Sequence, residues 1–140
     1  MQKLPAVEEA KALFAEAREW GMWTWLAEKR RARRTADAAW EALDAYEQKV
    51  KARWSVGIRA AAESDKALRG LERKAHQAHQ NAETQFDEAD RRMSTSMACE
   101  GAQMAIDAWE LREAYIRKLE AFGREQPKAH AEPRPSGSGG

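Results

Sequence analysis

Glu72, His76, His79 and Glu83 are spaced four, three and four residues apart, so on a helix they fall on one strip. Two imidazoles and two carboxylates aligned in this way are donor types that a metal takes inside a helical bundle. Di-iron bundles require more: Glu-x-x-His on each of two helices and two further Glu. No Glu-x-x-His occurs anywhere in this chain, and paired histidines on a half-exposed helix face are ordinarily solvated. No metal and no cofactor is expected, and this strip is the only place where a metal would be sought.

A denser cluster lies upstream. Trp20, Trp23 and Trp25 precede the basic run Lys29, Arg30, Arg31, Arg33 and Arg34. On a helical wheel the three indoles point around most of the circumference, so a single neighbouring helix cannot cover all of them. They are expected to supply core and, where one faces outward, a contact surface for another chain, with Trp23 the most exposed of the six tryptophans. Tryptophan beside a polybasic segment is also the composition of a membrane-surface anchor. If the basic run shares one end of a bundle with Arg91 and Arg92, seven cations there suit an acidic partner or a phosphate backbone. Glu28, Asp37, Asp87, Glu88 and Asp90 offset much of that charge, and no base-reading module is visible. The expected partner is a protein, another helix or a second copy; nucleic acid and a membrane surface are the alternatives.

Catalysis has less to stand on. Cys99 lies near the start of a helix, where a thiol is acidified, but no base is placed by sequence to serve it, and it is expected to be buried and inert. Met93, Met97 and Met104 are spaced as core filler. The chain has no Gly-rich phosphate loop, no nucleophile elbow and no zinc pair. No catalytic residue is assigned and enzymatic activity is not expected; the function read here is a non-catalytic helical interaction or scaffold module.

The composition agrees with that frame. Among 140 residues, 24 Lys plus Arg against 23 Asp plus Glu give a net charge of +1, which removes any whole-chain argument for polyanions. Alanine is the dominant apolar residue at 29, with 8 Leu, 6 Trp and only 3 each of Ile, Val and Phe. Such a chain is neither β-rich nor a disulfide scaffold, and a single Cys cannot form an internal bridge. No stretch reaches the roughly 20 apolar residues of a membrane span, and Met1–Val7 lacks a secretory core, so a cytoplasmic location is expected.

The four prolines fall at 5, 127, 133 and 135, leaving residues 6–126 without one, as in a nearly all-helical chain. Acid-first pairs at i,i+4, such as Glu47→Lys51, Asp87→Arg91 and Glu113→Arg117, each add about 0.3 kcal/mol to a helix. The apolar stripe jumps near 34 and 95 against the drift of a left-handed supercoil. Thr35, Ser64 and Ser94-Thr95-Ser96 look like N-caps. These signals predict an all-α fold of four helices, about 5–33, 35–62, 64–92 and 96–124. Their short connections give an up-down-up-down bundle over 1–124, with a disordered Pro/Gly/Ser-rich tail at 125–140. A competing form fuses the second and third helices into an elongated rod completed by oligomerisation. In the bundle, Trp25, Trp40, Phe86 and Met104 form one layer, and Trp20 and Trp109 the next.

Overall fold

The computed structural model describes residues 1–126, and among them the fold is all-α, with five helices and no strand. They are α1 (Pro5–Ala17), α2 (Met22–Ala52), α3 (Val56–Ser64), α4 (Lys66–Arg92) and α5 (Thr95–Glu125). The expected tail lies outside the described residues from 127 onward.

The ends of these helices follow from local chemistry. Pro5 occupies the first turn of α1, where its missing N–H costs nothing. Ser55 caps α3 by accepting from the Ile58 N–H at 3.2 Å, and Asp65 caps α4 by accepting from Leu68 N–H at 3.0 Å. Ser94 serves two helices. Its N–H closes α4 onto the Ala89 carbonyl at 2.9 Å, and its hydroxyl accepts from Met97 N–H to open α5. The reversal between them passes through Met93, a left-handed residue at φ 52° that is not glycine.

Two expected boundaries are corrected. No break occurs at 34: α2 runs from Met22 straight through Thr35. Thr35 does not cap a new helix but donates its hydroxyl back to the Arg31 carbonyl at 2.8 Å, the bond a mid-helix threonine makes. The first break lies instead at 18–21, where Glu19 and Trp20 make turn bonds to Glu16 and Ala17. A further break at 53–55 separates the short α3 from α2, so four near-equal helices become five unequal ones, and residues 35–92 do not form one continuous helix.

The last helix is the centre of the molecule. Buried α5 positions run from Ala98 to Gly123, and the other four helices pack on it. Its register with α1 is antiparallel: the N-terminal amine pairs with Glu120 at 2.9 Å, Lys11 with Glu113 at 2.5 Å, and Arg18 bonds Gln103 at 2.5 Å. The α2 helix runs parallel to α5, with Arg112 on Asp44, Tyr115 on Glu47 and Phe122 beside Trp54. The α4 helix packs against α5 along most of its length, burying Leu68, Ala75, Ala82 and Ala89 at strict seven-residue spacing. Alanine on that seam lets the backbones approach, and two glycines of α5 extend the effect. A Cβ on Gly101 would lie 3.2 Å from the Phe86 ring, and one on Gly123 would lie 2.8 Å from Cε2 of the Trp54 indole. Gly123→Ala should therefore displace Trp54 and cost about 1–3 kcal/mol in urea unfolding; an unchanged midpoint would show that the indole moves aside freely.

Candidate binding cleft

The α2 and α4 helices run antiparallel but do not close on each other. Lys29 reaches Asp90 at 3.1 Å, Arg33 reaches Asp87 at 3.2 Å and Asp90 at 3.5 Å, and Trp40 stacks on His79. Only long side chains bridge the gap. Between the first half of α2 and the second half of α4 lies a cleft of about 400 Å³. Phe14, Trp25 and Trp109, all buried, form its floor together with Ala98 and Ala105, while Met22, Leu26 and Met93 stand exposed at its mouth. The aromatic side chains of the floor are interlinked: Phe14 meets Phe86 edge-on at 5.8 Å and Trp109 at 5.0 Å, and Trp25 lies 5.8 Å from Phe86.

Trp20 packs edge-on against Trp25 at 4.9 Å. The three upstream tryptophans are thus divided: Trp25 is buried, Trp20 half-buried and Trp23 82 % exposed, the most exposed of the six. The expected layer is corrected at Trp40, which does not meet Trp25 or Phe86. It sits farther down the bundle, 3.9 Å from the His79 ring and 5.8 Å from His76, with the Arg112 guanidinium 4.6 Å above it. The methionines also separate: Met97 and Met104 pack on the core, whereas Met93 is 60 % exposed and is no core filler. Cys99 is half-buried rather than buried, and its thiol points at the Ala17 and Trp20 carbonyls where α1 ends.

Arg112 carries a buried polar network that sequence spacing alone does not reveal. It is 2 % exposed and donates to Asp44 at 2.5 Å and Glu47 at 2.7 Å, while Tyr115 donates to Glu47 at 3.0 Å and Lys51 pairs with Glu47 at 2.8 Å. Burial pushes the Glu47 carboxyl up, but the hydrogen bonds from Lys51 and Arg112 outweigh it and hold the group below its ordinary value. Burial, with a carboxylate beside it, pushes the Tyr115 phenol far up, so it stays a donor at any physiological pH. Nε and Nη1 of Arg112 have no hydrogen-bond partner, and the Trp40 ring beneath the guanidinium provides what compensation there is.

The remaining candidates are placed as follows. Glu72 and His79 are half-buried, His76 and Glu83 exposed, and His79 lies 3.6 Å from Glu83. The two histidines flank Trp40, and among the described residues no three His, Cys, Asp or Glu side chains are grouped to hold a metal ion. Of the seven cations, Lys29 and Arg33 pair with α4, Arg31 with Glu28, and Arg91 and Arg92 with Glu88. Arg30 and Arg34 are exposed and form no ion pair among the described residues. No described helix is long and apolar enough to cross a membrane. Comparison of the chain with protein-family models, curated proteins and solved structures finds no match.

Proposed function

We propose that the protein is a non-catalytic, cytoplasmic interaction module whose α2–α4 cleft receives an amphipathic helix from another protein. The observation that carries this reading is the uncovered apolar cleft between two antiparallel helices. The α2 wall from Met22 to Ala36 is about 21 Å long, the length of a four-turn helix. Both walls offer side chains at i, i+3 and i+4: Met22, Trp25, Leu26 and Lys29 on one side, Ala82, Phe86, Ala89 and Met93 on the other. That pattern is the complement of one helix face. The methionines at the mouth can re-pack around an incoming side chain.

Charge selects the occupant further. The α2 wall carries Lys29 and Arg33, with Asp37 at its far end, and the α4 wall Glu83 and Asp90, with Asp87 paired to Arg33 at the rim. A fitting helix places acids toward α2 and bases toward α4, replacing the cross-cleft pairs one for one. Those pairs are solvent-exposed, and releasing each costs about 0–1 kcal/mol. Selection from a displayed library of amphipathic helical peptides tests the proposal. Selected sequences should carry apolar residues at i, i+3 or i+4, and i+7 with this charge polarity. Ala36→Trp, which fills the cleft from a half-buried wall position, should abolish their binding. Peptides that bind the filled variant equally well, or a cleft that takes only small apolar molecules, would overturn it.

A further inference from the structure

Four of the five exposed large hydrophobic side chains, Met22, Trp23, Leu26 and Met93, gather at one end of the molecule, where α2 begins and α4 turns into α5. Trp23 is the extreme case at 82 % exposure. At 100° per residue it shares the outer face of α2 with Arg30 and Arg34, away from Trp25 and Ala32, which point inward. Lys29, Arg31, Arg33, Arg91 and Arg92 have carboxylate partners; Arg30 and Arg34 have none among the described residues. The outer strip of α2 is therefore an indole followed within about 17 Å by two unneutralised guanidinium groups.

We infer that this face docks the protein on an anionic lipid surface, with Trp23 entering the headgroup–acyl boundary and Arg30 and Arg34 meeting lipid phosphates. Charge complementarity favours an anionic partner at the stretch from Trp23 to Arg34, where no ion pair neutralises Arg30 or Arg34; the acids on the same face, Asp37 and Glu41, lie about one and two turns beyond it. The exposed Met22, Leu26 and Met93 favour lipid over nucleic acid: a hydrocarbon boundary covers aliphatic side chains, whereas a phosphate backbone does not. Trp23, Arg30 and Arg34 lie outside the α2–α4 cleft, whereas Met22, Leu26 and Met93 also form its mouth, so a membrane and a helix in the cleft would compete for those three.

Co-sedimentation of the full chain with vesicles tests the inference, comparing pure phosphatidylcholine with phosphatidylcholine containing about 30 % phosphatidylserine. Binding is expected to the anionic vesicles alone and to fall steeply with salt. Arg30→Gln with Arg34→Gln should weaken it by about thirtyfold, and Trp23→Ala by about tenfold or more. Brominated acyl chains should quench the wild-type fluorescence more than that of Trp23→Ala. Since all three side chains are exposed, circular dichroism of the variants should match the wild type. Equal binding by the variants, no preference for anionic vesicles, or retention by duplex DNA at salt that releases the vesicles would each overturn the inference.

Discussion

Glu47→Ala will destabilise the protein by about 3–5 kcal/mol, more than any substitution on its surface. The loss arises less from the missing attraction than from what remains. Arg112 is almost fully buried and already has two nitrogens without partners, so without Glu47 it keeps only the exposed Asp44 as a counter-ion. Tyr115 loses its acceptor at the same time. Chemical denaturation of the single variant measures the cost. The triple variant Glu47→Leu, Arg112→Met, Tyr115→Phe separates the charge effect from packing, because an apolar replacement of the whole network is expected to recover most of the loss. If the triple variant is as unstable as the single one, the network matters through shape rather than charge.

The same group gives the protein a directional response to acid. The Glu47 carboxyl is held below its ordinary 4.5, so its contribution is complete above that value and disappears as pH falls through the lower folded-state value. Burial holds the His79 imidazole below 6.5, and His76 and Arg112 push the same way against Glu83 and Asp37. The unfolded chain therefore takes up the His79 proton first, and stability declines as pH drops below 6.5, then again below 4.5. In His79→Gln the first of these declines should be smaller. An identical profile from pH 7 to 5 would remove His79 from the account.

Trp109→Ala should cost about 3–5 kcal/mol by opening a cavity. Trp109 is 1 % exposed on the central helix and meets Phe14 edge-on, so its removal separates α5 from α1 beneath the cleft. Trp23→Ala, on the outer face of α2, should change stability by no more than about 0.5 kcal/mol. The pair of thermal or urea transitions tests whether the aromatic residues divide between core and surface as the structure has them. Comparable losses in both variants would contradict that division.

What could be read from the sequence was what neighbours in the chain decide. The all-helical character of a proline-free stretch, Pro5 at a helix start, and the turn at Ser94 with its cap all follow from bonds spanning a few residues. The error at 34 has the same local origin. Thr35 after two arginines resembles a cap preceded by a C-terminal cation pair, yet Arg33 instead pairs across the cleft with Asp87 and Asp90, more than fifty residues away, and Thr35 bonds back to the Arg31 carbonyl within the helix. The break at 18–21 was hidden because Gly21 fits the apolar stripe of a continuing helix. The Arg112 network was equally hidden: its partners Asp44 and Glu47 are separated from it by 68 and 65 residues, and no periodicity links them. Trp23 could be read as outward-facing because helical phase alone fixes it; Trp40 was misplaced because its neighbours depend on the break that the stripe concealed.

That α5 contacts every other described helix has a consequence for the order of folding. Without α5, α1 and α2 can still pack on each other and Phe14 can still meet Phe86 of α4, but the surface shared by all the described helices is missing. Until α5 docks, the inner faces of the other described helices are open to aggregation and chaperone capture.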